Sequence, residues 1–129
     1  MIGEWCNLGA GTTTSNIKNT AGNIRIGNTD ESDHVSGIKK CGLLMGDYSR
    51  AAINTSFNTG TIVGVCCNIF THDFPPRIVP NFSWGNELYD LEKAFKHIGN
   101  WKQLKGQSLS DVERKMLTDL YNKLNRKNA

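Results

Sequence analysis

The chain of 129 residues contains no long apolar run and no pair of cysteines in a Cys-x-x-Cys spacing. A helix that crosses a bilayer needs ~20 consecutive apolar residues. The first residues also lack the charged and apolar regions of a secretory signal. We therefore expect a soluble, cytoplasmic protein with no membrane partner. The four cysteines have none of the spacings of common metal or redox sites, so no metal is predicted.

A dense basic surface is also missing. The net charge is +3, and residues 1–80 hold six Lys or Arg and six Asp or Glu. Residues 81–129 hold nine Lys or Arg and six Asp or Glu, so the net positive charge comes entirely from this segment. Nucleic-acid binding requires many clustered positive charges, whereas these alternate with acids. The pattern indicates a solvated helix surface, and no nucleic-acid partner is predicted.

A six-residue repeat runs from Met45 to Phe74. Every sixth residue is apolar, and the residue after it is small or turn-tolerant in four of five cases. The apolar positions are Met45, Ala51, Phe57, Val63 and Ile69. This period fits neither a lone strand nor a helix. It fits a parallel β-helix, in which each hexapeptide makes a short strand and a turn, and three make one triangular coil. We therefore predict a mainly β fold with the apolar residues inside and the small residues at the corners.

The same spacing begins the chain, because Ile2, Leu8 and Thr14 are six residues apart. The separation between Thr14 and Met45 exceeds a multiple of six by one, so the intervening segment must leave the repeat. A strand is predicted at 23–27, and an extruded polar loop near 27–38. His34 in this loop is interpreted as a solvated side chain. Since an uncapped end exposes core side chains and strand edges, we expect the chain to be a fragment of a longer protein.

The repeat is predicted to end at His72-Asp-Phe-Pro-Pro76, because proline cannot donate to a strand ladder. Two amphipathic helices are predicted next. The first has apolar residues from Leu88 to Ile98 and Gly99 as its stop. The second begins with a capping box at Ser110 and Glu113, and its apolar stripe includes Val112, Met116, Leu117, Leu120, Tyr121 and Leu124. The predicted domains are therefore 1–85, the coils, and 86–129, the helical tail.

The string Asn7-Leu-Gly-Ala-Gly-Thr-Thr-Thr-Ser-Asn16 is the most specific motif. Gly9 and Gly11 allow tight corners and the close approach of a ligand or a neighbouring coil. Asn7 and Asn16 carry amides that suit either a substrate or a ladder between coils. The residues alone leave both interpretations open.

This string resembles the acetyltransferase domain of the bifunctional N-acetylglucosamine-1-phosphate uridyltransferases. The whole chain is similar to a related group of sugar-nucleotide transferases. The resemblance implies a left-handed parallel β-helix of hexapeptide repeats, a homotrimer, and acyl transfer from acetyl-CoA within nucleotide-sugar synthesis. It implies that Asn7 and Asn16 contact substrate or acetyl-CoA. Ala10 in the same string and Lys18 beside it are further candidate binding residues, since Lys18 could meet CoA phosphates, although surface solubility explains a lysine there equally well. Ile17 stands where that family has tyrosine.

The family's catalytic histidine and its glycine-rich nucleotide loop precede this string, so the resemblance places any general base upstream of Met1. The catalytic residues are therefore unknown. Two functions remain open. The coils either contribute to an acyltransferase site of a sugar-phosphate nucleotidyltransferase or form a non-catalytic trimerisation scaffold for an upstream nucleotidyltransferase domain. In either case a sugar phosphate or nucleotide sugar is the expected substrate of the parent, the longer enzyme of which this chain would be a part.

Overall fold

The computed structural model describes residues 1–26 and 37–127. The chain divides into two compact units, which we call the strand unit, Met1–Glu87, and the helical unit, Leu88–Ala129. The strands of the first unit are β1 (Asn7–Leu8), β2 (Thr13–Thr14), β3 (Leu44–Met45), β4 (Arg50–Ala51), β5 (Ser56–Phe57), β6 (Ile62–Val63), β7 (Asn68–Ile69), β8 (Ile78–Val79) and β9 (Ser83–Trp84). Strand β10 (Glu87–Leu88) spans the boundary, and helices α1 (Leu91–Gln103) and α2 (Asp111–Lys127) follow. The described chain is mainly β with two helices at its carboxyl end.

The strands form sheets in the orders β1-β4-β7-β9-β10, β2-β5 and β3-β6-β8. Arg50 pairs with Asn68 and Leu44 with Ile62, so each of these parallel pairs joins strands that are three hexapeptides apart. Strands β3 to β7 begin at Leu44, Arg50, Ser56, Ile62 and Asn68. The strand starts therefore recur every six residues, and three such steps separate the paired strands β3 and β6, and β4 and β7.

The second residue of each central strand lies in the core. These residues are Met45, Ala51, Phe57, Val63, Ile69 and Val79, each no more than 5% exposed. The opening segment joins the same rows, since Ile2 aligns with Met45 and Leu8 with Ala51. Because successive side chains of a strand point to opposite faces, the first residue of each strand faces outward.

Small residues at the corners allow neighbouring backbones to approach closely. A Cβ added at Gly9 would lie 2.5 Å from the Ile53 nitrogen, and one at Gly64 would lie 2.6 Å from the Asn81 nitrogen. No ordinary Cβ contact is this short, so a side chain there would force the coils apart. The predicted role of the small positions is confirmed at these two glycines.

A second corner uses a different backbone conformation. Trp5, Tyr48, Cys66 and Phe82 all have positive φ, between 54° and 62°. Their N–H groups connect the corners, since Tyr48 donates to the Glu4 carbonyl and Cys66 to the Asp47 carbonyl, both at 2.9 Å. The left-handed region is unfavourable for bulky residues, so packing and hydrogen bonding at this corner override local preference.

Two sequence predictions about the repeat are wrong. Strand β8 pairs with β6 beyond the two prolines, with Ile62 aligned to Ile78, so the stacking does not end at 72–76. The segment from Ile62 to Ile78 is shorter than three hexapeptides. It contains both prolines, and the parallel pairing of β6 with β8 is still formed. Residues 23–26 form no strand, although Ile24 is buried and its N–H donates to the Ile38 carbonyl. Most of the predicted loop near 27–38, with His34, lies outside the described residues.

In the helical unit, side chains cap the first turns of both helices. The Asp90 carboxylate accepts from the Lys93 N–H at 2.9 Å and caps α1. The predicted capping box of α2 is confirmed, because Ser110 N–H donates to Glu113 Oε2 and Glu113 N–H to Ser110 Oγ. Gly99 does not end α1, which continues to Gln103. Glycine is tolerated within a helix when tertiary contacts support the flanking turns.

The apolar stripe of α2 is only partly buried. Leu117 is 2% exposed, but Val112 and Met116 are 79% and 57% exposed. Met116 and Leu117 are adjacent in sequence and lie about 100° apart around the helix. Packing against one side of α2 therefore covers Leu117 and leaves the edge of the predicted stripe exposed.

Candidate functional site

Asn7 lies on the outer face of the five-stranded sheet. It opens β1 in register with Arg50, and Arg50 is in register with Asn68. The next residue of β1, Leu8, aligns with the core residue Ala51 instead. Asn7 is half-buried, and its N–H donates to the Ser49 carbonyl at 3.1 Å. This hydrogen bond and the pairing of β1 with β4 therefore hold the backbone of Asn7 in place.

Asn16 lies beside the point where the chain returns to the coils after the intervening segment. Its carbonyl accepts from the Cys41 N–H at 2.9 Å, and its Cβ lies 3.7 Å from the position that a Cβ would occupy on Gly42. Asn16 is exposed. The backbone bond holds Asn16 against the incoming segment and leaves its amide available to solvent.

Ala10 and Lys18 are also held through their backbones. The Ala10 carbonyl accepts from the Asn54 N–H at 2.9 Å, and the Lys18 carbonyl accepts from the Ala21 N–H at 2.8 Å. Ala10 is exposed and Lys18 is half-buried. Within residues 1–26 and 37–127, no hydrogen bond engages the side chains of Asn7, Asn16 or Lys18. These groups therefore remain available for a ligand.

The four predicted site residues do not form one cluster along a single sheet. Asn7 belongs to the sheet β1-β4-β7-β9-β10, whereas Asn16 follows β2 of the sheet β2-β5. Successive hexapeptides enter different sheets, so their outward faces point in different directions. One ligand that contacts both asparagines must therefore extend around a corner or lie between copies of the chain.

The structure adds three residues to the row that contains Asn7. Arg50 is 8% exposed, Asn68 is half-buried, and Trp84 aligns with Asn68. Arg50 and Asn68 occupy the first position of their strands. The six-residue spacing also relates Arg50 to Asn68, although no role was predicted for this outward position. Extending the repeat to its outward positions would have found that pair.

The thiols near this row are poor nucleophiles. Burial raises the pKa of Cys66 to about 12, with Cys67 nearby adding to the increase and Arg50 opposing it. Burial also raises the pKa of Cys6 and Cys67, against the lowering effect of hydrogen bonds to each sulfur. The thiolate is the reactive form, so these cysteines remain protonated and unreactive at neutral pH.

Metal-binding and membrane-crossing features are missing from the described ranges. No group of three His, Cys, Asp or Glu side chains there is arranged to hold a metal ion. Neither α1 nor α2 has the length and apolar composition of a membrane-crossing helix. The polar features that remain are the outward rows of the sheets.

The strand unit thus belongs to the class of mainly β proteins built from short, stacked parallel strands. No protein-family model matches the chain. Part of it is similar to the bifunctional protein GlmU of Methanocaldococcus jannaschii, with 34% identity over 67 residues. The match covers 52% of this chain and 16% of GlmU. It indicates a distant, partial homology to GlmU.

Proposed function

We propose that the strand unit is a left-handed parallel β-helix and that the chain is the carboxyl-terminal domain of an enzyme of nucleotide-sugar synthesis. The parent enzyme would be a sugar-phosphate nucleotidyltransferase with an acyltransferase site. The observation that supports this best is the parallel step of three hexapeptides, which stacks regular coils on one another beside the string from Asn7 to Asn16. The partial similarity to GlmU supports the same conclusion.

In this proposal the coils assemble as a cyclic homotrimer and bind acetyl-CoA between subunits. The asparagines lie on different faces of one chain, so a groove between copies brings Asn7 of one subunit near Asn16 of another. Amide N–H groups there would stabilise the oxyanion that forms when an acceptor attacks the thioester. The general base would come from another part of the parent enzyme.

Calorimetric titration with acetyl-CoA, combined with light scattering in the same buffer, tests this proposal. We expect about three times the 14.3 kDa chain mass and one saturable site per subunit. Asn16→Ala should weaken binding about fivefold or more, because one hydrogen bond to the ligand is lost. Asn125→Ala, an exposed asparagine on α2, is the matched control and should leave the affinity unchanged. A monomer that binds no acetyl-CoA contradicts both parts.

The alternative function is a trimerisation scaffold that binds no ligand. The separation of Asn7 and Asn16 onto different sheets favours it, since the two amides do not converge within one chain. A trimer without any heat of binding would support the scaffold. Using the full-length parent in the same titration separates a true scaffold from a groove that needs upstream coils.

A further inference from the structure

An exposed aromatic pair lies on the outer face that carries Asn7. The rings of Phe70 and Trp84 have centroids 5.6 Å apart and meet edge to face at 68°. Phe70 is 47% exposed and Trp84 is 36% exposed. The edge-to-face arrangement orients the two rings and leaves part of each in contact with water.

Strand register explains why these rings meet. Trp84 aligns with Asn68, and the Gly85 N–H donates to the Asn68 carbonyl at 3.0 Å. Phe70 directly follows the end of β7, and its ring contacts the Trp84 ring there. A Cβ on Gly85 would lie 3.0 Å from Phe70 Cζ, and Gly85 has φ +57°. The glycine therefore leaves room for the Phe70 ring beside Trp84.

A polar group accompanies the rings. The Asn68 side chain is half-buried in the row between Arg50 and Trp84. No hydrogen bond connects its amide to another residue in the described ranges. The amide atoms keep contact with water, and they can pair with a ligand that supplies both a donor and an acceptor. Asn68 thus places an amide with donor and acceptor atoms beside two aromatic surfaces.

We propose that Asn68, Phe70 and Trp84 form a binding site for the nucleobase of a small nucleoside or nucleotide. A nucleobase is flat, so it stacks on exposed aromatic rings. Its edge carries donors and acceptors that pair with an asparagine amide. A lipid chain would leave the amide unpaired, and a saturated sugar ring lacks the flat face. The site uses neither Asn16 nor an acyl group, so it stands independently of the proposed acyltransferase function.

The test uses the chain labelled with ¹⁵N and follows the indole N–H signal of Trp84, assigned with Trp84→Leu. Adenosine and uridine are titrated separately, because neither carries phosphate or thioester. We expect a saturable shift of the Trp84 signal with at least one of them. Phe70→Leu and Asn68→Ala should each weaken binding about fivefold or more, in keeping with the loss of one stacking or pairing contact.

Phe74→Leu is the matched control, since Phe74 is 61% exposed and does not belong to the Phe70–Trp84 pair. It should leave the titration unchanged, and circular dichroism checks that each variant is folded. Sedimentation of Phe70→Leu provides a second readout. A loss of oligomeric mass without nucleoside binding would overturn the proposal and assign the rings to contact with a second copy.

Two further results would also overturn it. One is the absence of any Trp84 shift with either nucleoside, and the other is an equal shift with methyl glucoside. Asn16→Ala separates this proposal from the acyltransferase, since it should weaken acetyl-CoA binding and leave the nucleoside titration unchanged. Because acetyl-CoA carries an adenine, failure of its titration would contradict an adenine site here and would leave a uracil site in place.

Discussion

The strand unit and the helical unit are stabilised over very different distances along the sequence. In the strand unit, Leu8 meets Ala51 and Ala51 meets Ile69, so each core contact joins separate coils. In the helical unit, Ser110 and Glu113 bond to each other within a single helical turn. The ion pair between Lys102 and Glu113 links the end of α1 to the start of α2 across one short connection.

This difference explains how each unit responds to change. A coil core depends on the spacing between neighbouring backbones, so extra or missing atoms affect several strands together. Helix ends depend on single side chains that satisfy nearby N–H groups. We therefore expect volume changes to matter most in the strand unit, and the loss of individual polar contacts to matter most in the helical unit.

The largest effect is expected for Phe57→Ala. Phe57 is 1% exposed and lies in register with Thr14 of the first coil. Removing its ring should lower the free energy of unfolding by about 3–5 kcal/mol, because a cavity remains in the core. Urea unfolding followed by tryptophan fluorescence measures the change. Phe74→Ala is the exposed control, and an equal loss in both variants would show that Phe57 is not a core residue in solution.

Gly64→Ala should cost about 3 kcal/mol, near the upper end for overpacking, because the new Cβ meets the backbone of Asn81. Gly99→Ala should have the opposite sign. A Cβ at Gly99 meets nothing within 4 Å, and alanine in a helix is favoured over glycine by about 0.5–1 kcal/mol. Thermal unfolding by circular dichroism compares the pair. Equal effects would refute the claim that corner contacts require glycine at position 64.

Glu113→Ala should destabilise the helical unit by about 2 kcal/mol. The carboxylate binds Lys102 Nζ at 2.5 Å and accepts from the Ser110 N–H at 2.8 Å, and Lys102 is 4% exposed. Loss of the helical circular dichroism signal during urea unfolding measures the change. Lys115→Ala removes only an exposed pair with Asp119, so little change is expected. A similar loss in both variants would contradict the special role of Glu113.

The last effect, no larger than that of Glu113→Ala, is a pH dependence of the strand unit that arises from Cys66. Burial raises the pKa of Cys66 to about 12 in the folded chain, above the ordinary value of 9.0. The unfolded chain therefore releases this proton first, and stability present below pH 9 falls as the pH rises toward 12. At pH 10.5 the loss should be about 1–2 kcal/mol.

Urea unfolding at pH 8 and pH 10.5 measures this difference. Cys66→Ala should reduce it, and the part that remains comes from groups such as Cys6 and Cys67, whose pKa values burial also raises. Residues 88–129 contain no cysteine, so Cys66→Ala should leave the pH dependence of the helix signal unchanged. An unchanged pH dependence in Cys66→Ala would show that this thiol does not titrate differently in the folded and unfolded chains.

The apolar rows could be predicted because the inside of a coil selects large apolar residues at one position in six. The capping box could be predicted because its contacts are local. The continuation of the parallel pairing beyond Pro75 and Pro76 could not be predicted, because it depends on β8 pairing with β6 across a shorter intervening segment. The exposure of Val112 was missed because a helical stripe does not specify how wide a surface its partner covers.

The candidate site was predicted only in part. The string from Asn7 to Asn16 indicated the residues, but their assignment to different sheets depends on where each hexapeptide falls in its coil. The aromatic pair also went unrecognised, because Phe70 and Trp84 are distant in the sequence and meet only through the register of β7 and β9.

By itself, the sequence determined the six-residue period, the inward apolar residues, the small corners and the start of α2. Each depends on the chemistry of one residue or its close neighbours. Only the tertiary structure decided which strands pair at the full step of three hexapeptides and which pair at a shorter one. It also decided which outward side chains share a face, and which residues have positive φ at one corner, namely Trp5, Tyr48, Cys66 and Phe82. Those outcomes follow from close packing between distant segments, where backbone contacts outweigh the preference of any single residue.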